Sequence, residues 1–119
     1  MGSTTTFKRG RVVVVDVPFS DFTETKRRPA LILSAEVLHR KLPDVIVCPI
    51  SSQPRYFDRP GPGDQPLRHW KRVGLRHPST ARTSKILAVE KKRVARNLGT
   101  LPGEDLQRVE ETLRNTLGL

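Results

Sequence analysis

Hydrophobic and polar residues alternate along this chain in short blocks, and most blocks have the length of a strand. Val12–Val17 is a β-branched run opened by Gly10, and it predicts a first strand. Leu31, Ile32 and Leu33 form a second apolar run, entered through Arg28-Pro29-Ala30 and closed by Ser34. Pro29 clashes with the residue before it, which pushes Arg28 out of the helical region into an extended conformation. Proline also lacks an N–H, which suits the first position of a strand. Val45–Ile50 is a continuous apolar run and predicts a third strand, ending at the polar cluster Ser51-Ser52-Gln53. Ser79–Glu90 alternates in part and turns apolar at Ile86-Leu87-Ala88-Val89, which predicts one bent strand or two. Val94–Leu98 predicts a short edge strand before Gly99.

The segments between these blocks are polar or rich in turn residues. Met1–Thr6 reads as a frayed end. Pro18–Arg28 reads as a loop whose Phe19 and Phe22 fold back on the core. Ala35–Leu42 predicts one helical turn, and Lys91-Lys92-Arg93 a basic turn. Pro54–Pro66 holds Pro54, Pro60, Gly61, Pro62, Gly63 and Pro66, a density that predicts an irregular loop. Leu67–Arg72 reads as a short strand-like segment carrying Trp70. Only the end of the chain has helical periodicity. Leu106, Val109, Leu113 and Leu117 make one apolar stripe, which predicts a helix over Gly103–Leu117. Glu104 and Asp105 suit the positive end of its dipole, and Gly118 its stop. Five to seven strands and a terminal helix define the fold class: mainly β, a small and strongly bent barrel, one domain over residues 1–119.

Charge narrows the partner. The 119 residues carry a formal charge of +10. Residues 1–99 hold 20 Lys and Arg against 8 Asp and Glu, a net +12, whereas the last twenty hold 2 against 4. The basic surface thus belongs to the strands, and its natural partner is a polyanion, nucleic acid first. No apolar run reaches the length of a membrane span, and no amphipathic basic helix suits a membrane surface. No signal-peptide core is present, the N-terminal match to a myristoylation pattern is read as chance, and a cytoplasmic protein is expected. Cys48, the single cysteine, lies inside an apolar run and reads as a buried, inert thiol. His39, His69 and His77 lack metal-ligand spacing and read as surface residues, so no metal or cofactor is expected. A convergence of His69 with His77 would be needed for acid–base cleavage by imidazoles.

The remaining candidate chemistry is arginine and hydroxyls at strand ends. RNA cleaves itself when its 2′-OH attacks the adjacent phosphate, and an enzyme needs to orient that attack and stabilise the charge on the phosphoryl oxygens. Arg28, fixed by Pro29 at a strand mouth, can offer parallel N–H donors to a phosphate. Arginine is a poor proton shuttle, so its expected part is charge stabilisation. Ser51, Ser52 and Gln53 are presented at the end of the third strand. Arg55 and Arg59 flank Tyr56 and Phe57, a pattern suited to holding phosphates and stacking bases of a single strand. Arg68 and Lys71 add basic side chains expected near the same groove.

The series Gly10, Val12–Val17, Arg28-Pro29-Ala30-Leu31-Ile32-Leu33 and Val47-Cys48-Pro49-Ile50-Ser51-Ser52-Gln53 resembles the MazF/PemK (Kid) toxins of type II toxin–antitoxin systems. Ser79–Glu90, Leu98-Gly99 and the terminal helix continue the match, which runs from Arg9 to Leu119. The resemblance implies an SH3-like barrel shared with the gyrase poison CcdB, and a homodimer. It implies ribosome-independent, sequence-specific and metal-independent cleavage of single-stranded RNA, leaving a 2′,3′-cyclic phosphate and a 5′-OH. It further implies neutralisation by an acidic antitoxin, with which the toxin forms a DNA-binding complex. The family's catalytic arginine before proline falls on Arg28, and its hydroxyl residue after the third strand, usually threonine, on Ser51. Two positions depart from the pattern: Arg11 stands where many relatives are acidic, and Ser84 where many have Asp before Lys85. The alternative reading is a non-catalytic nucleic-acid-binding barrel or a CcdB-like topoisomerase poison.

Overall fold

Val12, Val13 and Val15 of the first strand divide between two apolar clusters, and that division organises the molecule. The computed structural model describes residues 7–18 and 25–119. Its strands are β1 (Arg11–Pro18), β2 (Thr25–Ile32), β3 (Asp44–Ser51), β4 (Asp64–Pro66), β5 (Thr80–Arg82), β6 (Leu87–Glu90) and β7 (Val94–Thr100). The helices are α1 (Glu36–Lys41), α2 (Pro54–Asp58) and α3 (Gly103–Leu117). All pairings are antiparallel, in the order β4-β5-β3-β2-β1-β7, with β6 also on β3. β4 and β7 end that order, so the sheet is bent without being closed.

Successive side chains of a strand point to opposite faces. Val12, Leu31, Cys48 and Ile50 therefore share one face with Leu67, Val73, Ala81 and Leu101. Val109 of α3 is fully buried there, and Leu106 and Leu113 pack beside it, as the apolar stripe predicts. Gly10 lets the helix come close: it has φ +89°, and a Cβ there would lie 2.9 Å from Leu106 Cδ2. The opposite face gathers Val13, Val15, Ala30, Ile32, Val45, Val47 and Val89, with Phe7, Leu87 and Val94 packed against it.

One register jump shapes the site. On β3, Val47 faces Leu87 of β6 and Ile50 faces Ala81 of β5. Three steps on β3 thus correspond to six on its partner, and the extra residues form the 3₁₀ turn Thr83–Lys85. The bent segment expected over Ser79–Glu90 is therefore two strands joined by that turn.

Several local expectations are corrected. Pro54–Pro66 is not irregular throughout, because α2 and β4 lie within it. Pro54 stands in the first turn of α2, where a proline's fixed φ and missing N–H cost nothing. Leu67–Arg72 is not strand-like: residues 68–74 turn, because the buried Asp105 carboxylate accepts the backbone N–H of Arg68 (3.1 Å) and of His69 (2.8 Å). His39 is buried rather than a surface residue. Its Nε2 meets Ser34 Oγ at 2.6 Å and its Nδ1 meets the Phe7 carbonyl at 2.6 Å. Val94–Leu98 extends through Gly99 to Thr100, and Thr25–Arg28 belong to β2 instead of a loop. Pro29 thus lies inside that strand opposite Val14 rather than at its first position, and Arg28 is a ladder residue opposite Val15 rather than at a strand mouth. Phe19, Phe22 and Met1–Thr6 lie outside the described residues. No helix among the described residues is long and apolar enough to cross a membrane.

Candidate active site

The β2–β3 register pairs Leu31 with Cys48 and Ala30 with Pro49. The ladder stops there, and Arg28 and Ser51, each two residues beyond it on its strand, line the same cavity. Both positions fall on the face of the second cluster, in line with Ala30 on β2 and Val47 on β3. At this end of the sheet the apolar face opens into a cavity of about 390 Å³. Val15, Ala30, Val47 and Leu87 form its apolar floor, and Arg28, Ser51, Ser52, Gln53, Tyr56, Arg82 and Lys85 line its polar side.

The polar side is cationic. Arg28 is exposed, and among the described residues no acidic group pairs with it or with Lys85. Among the described residues, no carboxylate and no imidazole lines the cavity. The Ser51 hydroxyl accepts a hydrogen bond from the Gln53 backbone N–H at 3.2 Å, which leaves its own proton free to donate into the cavity. Three cations around a hydroxyl donor, beside an apolar floor, make a site for a phosphate attached to a flat, partly apolar group.

Arg82 and Lys85 are site residues that the sequence pattern does not reveal. The register jump between β5 and β6 carries them to Ser51, and no local motif marks it. Arg55, Arg59 and Tyr56 line a second, more open cavity of about 460 Å³ together with Gly61, Pro62, Asp64 and Arg82. Tyr56 and Arg82 thus form the wall between the two. Phe57 is half-buried and lines neither cavity.

Arg68 and Lys71 are placed elsewhere. They belong to the turn that packs with Trp70 and Val73 on the α3 side of the sheet, where Arg68 pairs with Glu104 at 3.3 Å and Lys71 Nζ lies 5.8 Å from the Trp70 ring centre. His69 sits 3.7 Å from Glu104 on that side, His77 is exposed, and neither lines the cavity. Burial pushes the Cys48 thiol up to about 12, so it is neither nucleophile nor acid at neutral pH. Among the described residues, no three His, Cys, Asp or Glu side chains cluster as metal ligands would.

Residues 8–117 match the family profile described as PemK-like, MazF-like toxin of type II toxin-antitoxin system. That match spans nearly the whole sequence, and the chain belongs to this family. The fold agrees. A MazE–MazF crystal structure from Deinococcus radiodurans superposes with TM-score 0.78 at 21% identity, covering 98% of this chain and 99% of that one. An endoribonuclease in complex with its cognate antitoxin, from a mycobacterial species, gives TM-score 0.76 at 19% identity, covering 94% and 95%. The Mycobacterium tuberculosis toxin MazF-mt6 gives 0.69 at 24%, covering 90% and 97%. No curated protein sequence matches the chain.

Proposed function

We propose that this protein is the toxin of a type II pair and acts as a sequence-specific endoribonuclease on single-stranded RNA. The observation that carries the reading is the convergence of Arg28, Ser51, Arg82 and Lys85 on one cavity that no acidic side chain among the described residues lines, in a chain of net charge +10. In the reaction the 2′-oxygen bonds to the adjacent phosphorus as it loses its proton. The bond from phosphorus to the 5′-oxygen breaks, and that oxygen takes up a proton. The products are a 2′,3′-cyclic phosphate and a 5′-OH. Arg28 offers two parallel N–H groups to the non-bridging oxygens, and Ser51 adds an O–H donor, where negative charge grows in the transition state. Arg82 and Lys85 add positive charge to the same wall, and these fixed cations perform the stabilisation without a metal ion. Ser52 and Gln53, at the same strand end, position the nucleotides on either side. Arg55 and Arg59 bind phosphates along the second cavity.

The partners follow from the same surface. An acidic, flexible antitoxin segment competes with RNA for the cationic cavity and silences it. Similar folds that are known in complex with MazE and with a cognate antitoxin support this reading. The toxin works as a homodimer in the cytoplasm, where its substrate is, and its complex with the antitoxin binds DNA. Incubating the purified protein with total RNA and with short oligoribonucleotides in EDTA tests the reading. Mass spectrometry should find cyclic-phosphate 3′ ends at one sequence context, and Ser51→Ala should slow cleavage by about tenfold to a hundredfold, the worth of one donor to a charged oxygen. Intact RNA, or cleavage undiminished in both Arg28→Ala and Ser51→Ala, would overturn it.

A further inference from the structure

Tyr56 has the sequence setting of a base-stacking ring, but its π face is already occupied. The Arg82 guanidinium carbon lies 3.7 Å from its ring centroid, and Arg55 Cζ lies 4.7 Å away, with Nη2 donating to the Tyr56 hydroxyl at 2.7 Å. The same guanidinium is held at a second point. Arg82 Nε donates to Asp64 Oδ1 at 2.9 Å, and the Asp64 side chain is only 4% exposed. The other oxygen of Asp64 accepts the Gly61 N–H at 3.0 Å, so the carboxylate cannot swing away without breaking its own turn.

That turn is itself fixed to the residue after Arg82. The Gly63 carbonyl accepts both the Thr83 N–H, at 2.7 Å, and the Thr83 Oγ1, at 2.9 Å. Gly63 has φ +82°, and a Cβ there would lie 3.0 Å from the Ser84 backbone nitrogen, so the joint admits no side chain.

We infer that Tyr56 and Asp64 are positioning residues that hold Arg82 against the reaction cavity, and that Tyr56 does not stack on RNA. The inference rests on the cavity being the cleavage site. An arginine has five N–H donors, and Asp64 occupies the one on Nε. The four on the Nη nitrogens remain for the cavity that Arg82 lines with Arg28 and Ser51. Stacking on Tyr56 fixes the plane of the guanidinium, and the Nε–carboxylate bond fixes its rotation within that plane. An unclamped arginine would have to be ordered during each turnover, a cost that falls on the chemical step. A base that stacked on Tyr56 would first have to displace Arg82 from the ring.

Steady-state cleavage of a short single-stranded RNA, carrying a site mapped with the wild-type protein, separates these roles. Arg82→Ala should lower kcat by about a hundredfold, as the loss of one transition-state donor does. Tyr56→Leu and Asp64→Asn should each lower kcat about tenfold, in the range typical of groups that orient a functional residue, with KM within about twofold. Tyr56→Phe, which keeps the ring under the guanidinium, should recover most of what Tyr56→Leu loses. In an Arg82→Ala background, Tyr56→Leu should cost nothing more. Because Tyr56 lies on the half-exposed α2, Tyr56→Leu keeps the test available even where Asp64→Asn unfolds the turn. The inference is overturned if Tyr56→Leu raises KM by the same factor with and without Arg82, which is the signature of a stacking ring. Full turnover by Arg82→Ala, with Arg28→Ala inactive, overturns it as well while leaving the cleavage site standing. An active Arg28→Ala instead counts against the site itself.

Discussion

Replacing Arg28 by alanine should separate activity from folding. The side chain is exposed, and among the described residues no acidic group is left unpaired when it goes. A surface substitution of that kind shifts stability by no more than about 0.5 kcal/mol. The loss in the transition state is much larger. One preorganised donor aimed at a developing oxyanion contributes about 2.7–4 kcal/mol, a rate factor of roughly a hundred to a thousand. Arg28→Lys retains the charge and loses the planar fork, so it should recover a minor part of that factor.

Single-turnover cleavage of one oligoribonucleotide measures the rates, and urea unfolding followed by tryptophan fluorescence measures stability. The emission comes from Trp70, which packs on the α3 side of the sheet and is blind to changes in the cavity. Equal unfolding midpoints with a fall in rate of at least a hundredfold for Arg28→Ala are expected. A rate within threefold of the wild type at an unchanged midpoint would refute the assignment, since the mutation could not then be hiding behind a repaired fold.

Four further outcomes follow from the same coordinates. Arg55→Ala with Arg59→Ala should flatten the dependence of log K on log salt by about one to one and a half units, the weight of two single-strand phosphate contacts, read by fluorescence titration of a non-cleavable RNA. The Cys48 thiol, raised from 9.0 to about 12, leaves the unfolded chain holding fewer protons above pH 9, so stability is fully present below that and falls as pH rises toward 12. Urea midpoints from pH 8 to 11 should decline for the wild type and decline less for Cys48→Ala. Thr80 Oγ1 is fully buried and has no hydrogen-bond partner among the described residues, so Thr80→Val should raise stability by about 1 kcal/mol, and a loss would show that the hydroxyl is used. Asp105→Ala leaves two backbone N–H groups without their acceptor and should destabilise by about 2–4 kcal/mol in urea unfolding, whereas an unchanged midpoint would mean that water replaces the carboxylate.

What the sequence discloses about the site depends on how far each cause lies along the chain. Arg28 stands out as a candidate because Pro29 beside it forces extended backbone, which its place in the β1–β2 ladder matches, and Ser51 because an apolar run ends just before it. The helix Gly103–Leu117 is legible for a similar reason, since its periodicity, its acidic first turn and its stop residue Gly118 are all local. The α2 helix is obscured by averaging. Five of the six prolines and glycines of Pro54–Pro66 follow Arg59, and the first stands where a helix tolerates proline. The turn over residues 68–74 has its cause 36 and 37 residues away, in a carboxylate that reads locally as a helix-dipole partner. The burial of His39 likewise depends on the Phe7 carbonyl, 32 residues earlier.

Arg82 is the most informative omission, because none of the three features that make it a candidate site residue is visible near it. Its approach to Ser51 comes from the pairing of β5 with β3, and pairing between residues 29 and 31 positions apart leaves no local pattern. Its orientation comes from Asp64 and Tyr56, which precede it by 18 and 26 residues. Its charge also looks superfluous in a chain of 22 basic residues. The same arrangement changes the reading of the departure at Ser84, where many relatives are expected to carry Asp. A carboxylate two residues after Arg82 could compete with Asp64 for the guanidinium or partly neutralise the Lys85 beside it. Serine removes that competition, and among the described residues the acid on Arg82 is then Asp64 alone, which lines the neighbouring cavity and not the one that holds Arg28. On the proposed reading the cationic wall thus keeps its full charge toward a bound phosphate, and the carboxylate that pairs with Arg82 lines the cavity beyond it.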